Sequence, residues 1–141
     1  MEIPLEDNEQ KALVKWLELV RLKFTSIPNS TFAGSYFGGQ KQKSFAVLAR
    51  NKALGLRKGF PDIVVVIPPK RSKTQKGIFI ALELKRQHRV KKNGEKGASP
   101  SIVSEEQIEW IDSLNSCEGV EARICYGFSE SINFIKTFLN E

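Results

Sequence analysis

Apolar residues recur along this chain with two spacings, one typical of helices and the other typical of strands. The helical spacing predicts helices at about residues 8–23, 45–54, 104–115 and 130–139. Clustered or alternating β-branched and aromatic residues predict strands at residues 24–29, 62–67, 78–85 and 120–126. Helices and strands are interspersed in this order, so the pattern predicts an α/β fold.

Residues at the expected helix ends support these limits. Asp7 or Asn8 suits the N-cap of the first helix, because a short side-chain oxygen there accepts hydrogen bonds from the first turn. Ser104 and Gln107 form a capping box at the start of the third helix. Gly55 is expected to end the second helix. The apolar side of that helix consists of Phe45, Leu48 and Ala49.

Two segments, 30–43 and 86–100, lack an apolar pattern and are rich in Gly, Ser, Asn, Gln and basic residues. Such a composition is typical of mobile loops. The first loop is a candidate for a flap that DNA would order. His88 lies in the second loop, where we expect it to contact solvent or a phosphate rather than to act as a base.

The two most apolar strands carry charged residues at one end. Asp62 opens the strand at 62–67, whereas Glu83 and Lys85 close the strand at 78–85. Strand residues two apart share a face, so Glu83 and Lys85 point the same way. Burial of a carboxylate is costly unless the group is paired or bound to a metal. If the strands are neighbours, Asp62 meets Glu83, and the cluster suits a hard divalent cation beside an amine.

These charges also have a simpler interpretation. Pro61-Asp62 is a common start of a turn, and a Glu-x-Lys triplet at a strand end is often only solvated charge. Glu9 lies on the apolar side of the first helix, where it either favours the positive end of the helix dipole or supplies a third carboxylate. Gln107 likewise either caps its helix or orients Lys85 or an attacking water.

The charge of the chain is concentrated in its middle. The net charge is +6, but residues 50–96 contain 14 Lys and Arg against three acids. A basic region around the candidate carboxylates suits a polyanionic partner such as DNA. Ordinary solubility of the loops is the alternative explanation for each separate cluster.

The remaining composition narrows the class of protein. A length of 141 residues suits one domain spanning 1–141. No apolar run approaches the roughly 20 residues of a membrane span, and the acidic N-terminus has no apolar signal core. Cys117 and Cys125 have no second pair with which to bind zinc, and two thiols suit a reducing compartment such as the cytoplasm.

Several motifs together resemble the VRR-NUC branch of the PD-(D/E)XK nuclease superfamily. They are the run from Ala53 to Asp62, Glu83-Leu84-Lys85, Glu9 in the first helix, and Gln107 followed by Trp110. The resemblance covers nearly the whole chain. It implies a restriction-endonuclease-like core, with a central mixed sheet of about four strands flanked by helices.

The resemblance also implies an activity. Stand-alone phage and bacterial members look like homodimeric endonucleases that resolve branched DNA such as Holliday junctions, so we expect a metal-dependent, structure-selective endonuclease in a bacterial cell or a phage-infected host. The alternatives are a flap, nicking or restriction-type nuclease of the same fold, or a catalytically silent DNA-binding module. The basic insert after Lys85 is a departure that leaves the shape of the DNA substrate open.

Roles for individual residues follow from the same resemblance. Asp62, Glu83 and the Leu84 carbonyl would hold Mg²⁺ or Mn²⁺, and Glu9 would add a ligand directly or through water. Lys85 would orient the attacking water or stabilise the phosphate, with Gln107 holding Lys85 or the water. The expected phosphate contacts are Arg50, Lys52, Arg57, Lys58, Arg86 and Arg89.

Overall fold

The protein is described by a computed structural model that covers residues 2–28, 36–37, 40–41 and 45–141. In chain order its elements are α1 (Glu6–Val20), β1 (Lys23–Ser26), β2 (Tyr36–Phe37), β3 (Gln40–Lys41), α2 (Phe45–Ala53), β4 (Ile63–Ile67), β5 (Ile78–Lys85), α3 (Glu105–Asn115), β6 (Val120–Tyr126) and α4 (Phe128–Lys136). The predicted α/β class is confirmed. Most of the predicted loop at 30–43 lies outside the described residues, apart from the β2–β3 pair.

The main sheet has four strands in the order β1-β4-β5-β6. The β1–β4 and β4–β5 pairs are antiparallel, whereas β5 and β6 run parallel, so the sheet is mixed. β5 is a central strand of eight residues, and its successive side chains point to opposite faces of the sheet. Ile80, Leu82 and Leu84 belong to the larger core, which α1 and α4 cover. Ala81 belongs to the smaller core on the α3 side.

The first helix begins and ends earlier than its predicted limits. Its N-cap is Leu5, which makes no side-chain capping hydrogen bond, so the prediction of Asp7 or Asn8 is wrong. The helix stops at Val20 because Arg21 adopts the left-handed conformation, with a φ of 60°. This early stop turns the chain so that Leu22 is buried and β1 can begin at Lys23. The apolar pattern alone could not reveal that reversal.

The second helix has nearly the predicted limits but not the predicted packing. No residue of α2 is buried, and Phe45 is 91% exposed. Leu54, just after the helix, is 75% exposed. The side chains that we expected to face the core therefore form an exposed apolar surface on the described part of the chain.

The segment after β5 is folded rather than irregular. Residues 88–98 form a short hairpin, in which Val90 bridges Lys96 and the Lys91 N–H donates to the Glu95 carbonyl at 2.8 Å. The Arg89 N–H donates to the Ala98 carbonyl at 2.9 Å. Backbone hydrogen bonds hold this hairpin, which explains why the apolar pattern predicted only a loop. None of the described helices has both the length and the apolar character needed to cross a membrane.

Candidate active site

Backbone pairing brings the charged ends of β4 and β5 together. Val64 pairs with Ala81 and Ile63 with Leu82, so the next pair in this antiparallel series is Asp62 with Glu83. The Leu84 backbone N–H donates a hydrogen bond of 2.8 Å to Asp62 Oδ2. The prediction that these strands are neighbours is confirmed, and the two carboxylates share the face of the sheet that α3 covers.

The turn before Asp62 is fastened to α3. Gly59 has a φ of +92°, and a Cβ atom there would lie 2.7 Å from two carbon atoms of Glu106. Only glycine fits this combination of a left-handed backbone and close helix contact. The Trp110 indole N–H also donates to the Lys58 carbonyl at 3.1 Å. These contacts fix the approach of the chain to β4 and therefore the position of Asp62.

Glu83 is the most constrained carboxylate of the site. The residue is only 2% exposed. Its Oε1 atom accepts a hydrogen bond from the Gln107 side chain and lies 3.4 Å from the Lys85 ammonium nitrogen. Its Oε2 atom is buried and has no hydrogen-bond partner within the described part of the chain. An oxygen left in this state is costly, because the group has lost water without gaining a donor or a cation.

Burial and charge together change the titration of Glu83. Loss of hydration raises the pKa of this carboxyl from 4.5 to about 8, and the negative charge of Asp62 contributes in the same direction. Lys85, which is 6% exposed, opposes the rise through its positive charge. The pKa is raised because one buried cation does not compensate for desolvation and a neighbouring acid.

The donor set fits a hard divalent cation. Two carboxylates converge with an oxygen that lacks a partner, and such cations prefer oxygen ligands. The Leu84 N–H points toward Asp62, and in an antiparallel strand the carbonyl of the same residue projects toward the same edge. Within the described ranges, no three His, Cys, Asp or Glu side chains form a group that could hold a metal. The set is therefore two carboxylates and a carbonyl, which suits an ion that keeps several waters.

Glu9 is buried as predicted, but its two oxygens accept hydrogen bonds from Gln87 and Phe128. The residue is 4% exposed, on the helix that covers the opposite face of the sheet from Glu83. Its Oε1 atom accepts from the Gln87 side chain at 2.8 Å. Its Oε2 atom accepts from the Phe128 backbone N–H at the first turn of α4. The structure thus does not join Glu9 to the Asp62–Glu83 pair, and its role as a ligand stays a prediction.

Glu6 is a candidate that sequence reasoning missed. Its negative charge contributes to the raised pKa of Glu83. The Ser101 hydroxyl donates to Glu6 Oε1 at 2.5 Å and accepts from the Arg86 backbone N–H at 3.0 Å. Glu6 is the first of three acids in the first turn of α1. The acidic first turn was the sequence feature that could have indicated Glu6, whereas the apolar stripe indicated only Glu9.

Gln107 caps its helix as one interpretation predicted, and its side chain also contacts Glu83, whereas the predicted contact with Lys85 or a water stays a prediction. Its backbone N–H and side-chain oxygen complete the capping box with Ser104. Its side-chain NH₂ group donates to Glu83 Oε1. The cap fixes the amide at the start of α3, and the fixed amide in turn orients the Glu83 carboxylate.

Comparison with known families identifies the domain. The sequence profile of the VRR-NUC domain matches residues 6–129. The chain belongs to the VRR-NUC domain family. A solved structure described as a VRR_NUC domain protein is similar, with a TM-score of 0.58 at 20% identity, over 98% of this chain and 90% of that chain. Comparison with curated proteins gives no match.

Family membership gives the coarse function and the superfamily. A VRR-NUC domain is a nuclease-type domain that acts on DNA. The family lies within the PD-(D/E)XK superfamily, and the four-stranded mixed sheet with its flanking helices is consistent with the restriction-endonuclease-like core.

The basic middle of this VRR-NUC chain is divided between two ends of the sheet. Lys70, Arg71, Lys73 and Lys76 lie in the turn between β4 and β5. That turn is at the opposite end of β5 from Lys85, and eight strand residues span roughly 23 Å. These four residues therefore do not surround the carboxylates, although the sequence count placed them in the same segment.

The residues expected to contact phosphates differ in how freely they face solvent. Arg50, Lys52 and Arg89 are exposed. Arg86 donates to the Ile3 and Pro4 carbonyls at 2.6 and 3.1 Å, which ties it to the N-terminal segment. The structure also holds the two basic residues before Gly59: Arg57 donates to the Lys52 and Leu56 carbonyls, and Lys58 lies 3.6 Å from Glu106.

Proposed function

We propose that this VRR-NUC protein is a metal-dependent DNA endonuclease that hydrolyses phosphodiester bonds in branched DNA. The observation that carries the proposal is the Glu83 carboxylate: its buried Oε2 atom has no hydrogen-bond partner among the described residues, its Oε1 atom lies 3.4 Å from Lys85, and Asp62 shares its face of the sheet. A purely structural carboxylate gains nothing from that arrangement, whereas a cation ligand requires it.

Asp62, Glu83 and the Leu84 carbonyl would hold Mg²⁺ or Mn²⁺. The bound ion would supply Lewis-acid activation of a water and neutralisation of phosphate charge. Lys85 lies 3.4 Å from Glu83, so its ammonium group is held at the site. There it donates hydrogen bonds to a non-bridging phosphate oxygen, whose negative charge increases in the transition state. Gln107 keeps the Glu83 carboxylate in one orientation.

A third carboxylate has two candidates, which differ in their hydrogen bonding. Both oxygens of Glu9 accept hydrogen bonds from the protein. Glu6 accepts one at Oε1, from Ser101, and its negative charge makes a minor contribution to the raised pKa of Glu83. We therefore assign Glu9 a positioning role and keep Glu6 as the candidate that would act through a water of the ion. Glu9→Gln should retain cleavage.

The preference for branched DNA and the homodimer are the finer parts of the proposal. Exposed Arg and Lys side chains bind phosphates without reading sequence, which favours recognition of DNA shape. Phe45 and Leu54 form an exposed apolar surface that a second copy would cover. A two-fold dimer would place two sites on a symmetric junction for paired nicks.

Cleavage of a panel of DNA substrates tests the proposal. Four-way junction, flap, duplex and single-stranded DNA are incubated with Mg²⁺, Mn²⁺ or a chelator. We expect cleavage that requires the metal and is fastest on the junction, and that is lost in Asp62→Asn, Glu83→Gln and Lys85→Ala with DNA binding retained. Asp112→Asn and Lys73→Ala, at exposed positions, are matched controls. Cleavage that survives all three site changes would exclude this site, and metal-independent binding without turnover would indicate a silent DNA-binding module.

A further inference from the structure

We infer that a pocket beside the candidate active site binds an unpaired nucleotide of the DNA substrate. The pocket lies between the base of the 88–98 hairpin, the end of β6 and α4, and has a volume of about 550 Å³. It deepens the proposed function, on which it rests, because it gives branched DNA a recognition site that continuous duplex does not fill.

The pocket adjoins the end of β5 that carries Lys85. Tyr126, which lines it, pairs with Lys85 in the parallel β5–β6 register. The next residue, Gly127, also lines it and donates its N–H to the Lys85 carbonyl at 2.9 Å. Adjacent strands are about 4.8 Å apart. The Lys85 ammonium lies on the α3 face and α4 covers the opposite face, so a DNA strand held at Lys85 would pass around the end of β5 and β6 to place a neighbouring nucleotide in the pocket.

The rings around the pocket suit a nucleobase. The His88 and Tyr126 rings lie with their centroids 4.2 Å apart at the hairpin side. Phe134 lines the α4 side, with the Arg123 guanidinium 5.2 Å from its ring centroid. Bases stack on aromatic rings and on guanidinium planes whatever their sequence. The pocket is therefore lined on two sides by groups of the kind on which bases stack.

The charged and polar groups suit the remainder of a nucleotide. Lys96 and Arg123 bring positive charge, and the single acid among the lining residues, Glu130, lies 3.9 Å from Arg123. Side chains able to donate to or accept from the edge of a base are also present: Gln87, Ser129, Asn133 and Thr137. A surface that bound only the phosphate backbone would not need rings and amides together.

The walls of the pocket are held in place by the protein itself. Glu9 accepts hydrogen bonds from Gln87 and from the first turn of α4, so one buried carboxylate joins two of the walls. His88 Nδ1 lies 2.9 Å from the Gly97 carbonyl, which fixes the ring to the far strand of the hairpin. The pocket is thus formed before DNA arrives.

An unpaired nucleotide is the ligand that this chemistry selects. In duplex DNA both faces of a base are stacked and its pairing edge is occupied, so entry would require the base to be extruded. A base at a branch or a bulge has already lost those interactions. Loss of one stacking ring commonly weakens single-strand binding by roughly ten- to a hundredfold.

A thermodynamic cycle between ring and base tests the inference. Binding is measured in chelator by anisotropy, with three labelled oligonucleotides: a continuous duplex, the duplex with one unpaired adenine, and the same bulge with an abasic nucleotide. Tyr126→Leu should weaken binding to the adenine bulge about tenfold and binding to the other two less than twofold. Unpaired 2-aminopurine in place of the adenine should be quenched by the wild type and much less by the variant.

The outcomes are separable. Equal weakening on all three oligonucleotides would mean a general contact with the backbone, and would overturn the inference. If Tyr126→Leu does not fold, His88→Ala provides the same cycle. Leu19→Ala, at an exposed apolar position of α1, is the control in which no coupling is expected. Because no turnover is needed, coupling in a protein that never cleaves DNA would support the pocket and reject the nuclease, whereas cleavage without coupling would do the reverse.

Discussion

Two buried carboxylates on opposite faces of the sheet have opposite surroundings. Glu9, on α1 and in contact with the first turn of α4, is 4% exposed. Glu83, on the face of the sheet that α3 covers, is 2% exposed. Each oxygen of Glu9 accepts a hydrogen bond from the protein. One oxygen of Glu83 contacts both Gln107 and Lys85, whereas the other has no hydrogen-bond partner among the residues that the structure describes.

The difference distinguishes a positioning carboxylate from a candidate catalytic one. A buried acid with complete hydrogen bonding links the elements around it and contributes to stability. A buried acid with an orphaned oxygen and a second acid beside it destabilises the fold, and such perturbed groups cluster at functional sites. Sequence alone ranked both residues as candidate ligands, because burial is what the apolar pattern predicts for each.

The largest expected effect comes from removing the amine beside Glu83. Lys85→Ala should lower the cleavage rate by about 10²–10³, the usual consequence of losing one transition-state donor. Binding of DNA should change little, because many exposed cations remain. The measurement is single-turnover cleavage of a four-way junction at saturating metal. Lys73→Ala, which removes an exposed lysine in the turn between β4 and β5, should cleave at the wild-type rate. A similar loss of cleavage in that variant would contradict the role assigned to Lys85.

Removing the positioning acid should affect stability instead. Glu9→Ala leaves the Phe128 N–H and the Gln87 amide without their acceptor, so the free energy of unfolding should fall by about 3 kcal/mol. Denaturant unfolding measures this, with Glu18→Ala on the exposed side of the same helix as the control. Unchanged stability in Glu9→Ala would mean that the two hydrogen bonds do not hold α4 in solution.

The raised pKa of Glu83 predicts that the folded protein becomes less stable as the pH rises. Its pKa in the folded protein is about 8, above the ordinary value of 4.5, so the folded state binds the proton more tightly than the unfolded chain. The stability that it contributes is complete below the unfolded pKa and is lost as the pH rises through the folded pKa. Without metal, unfolding between pH 6 and pH 8 should therefore become easier by about 2 kcal/mol. Glu83→Gln should flatten that slope, and an equal slope in wild type and variant would contradict the cause.

The strands and the convergence of Asp62 with Glu83 were predictable because each rests on a local rule. The two β-branched runs predicted β4 and β5, and alternation along a strand placed Glu83 and Lys85 on one face. A one-residue error in register would have turned Glu83 to the other face. The correct prediction of the side-chain positions thus depends on the pairing of Val64 with Ala81, which the turn between β4 and β5 fixes.

What escaped prediction depends on tertiary placement. Helical periodicity shows which side of α1 is buried, but not which face of the sheet the helix covers, so it could not reveal that Glu9 accepts hydrogen bonds from Gln87 and Phe128. Glu6 lies off the apolar stripe and reaches the site only because α1 starts beside Ser101. The 88–98 hairpin is held by backbone hydrogen bonds, which leave no mark in the apolar pattern.

The smallest expected effect distinguishes the two acids most directly. Mg²⁺ at about ten times its dissociation constant should stabilise the wild-type protein by roughly 1.4 kcal/mol, since the ion binds only the folded state. Glu83→Gln should abolish this stabilisation, because Gln lacks the charge that a hard cation requires. Glu9→Gln should keep it, although the variant starts from a less stable protein. Thermal unfolding with and without Mg²⁺ measures the difference, with Ca²⁺ as a second oxygen-preferring ion. Metal stabilisation that disappears in Glu9→Gln and survives in Glu83→Gln would reverse the roles given to the two faces of the sheet.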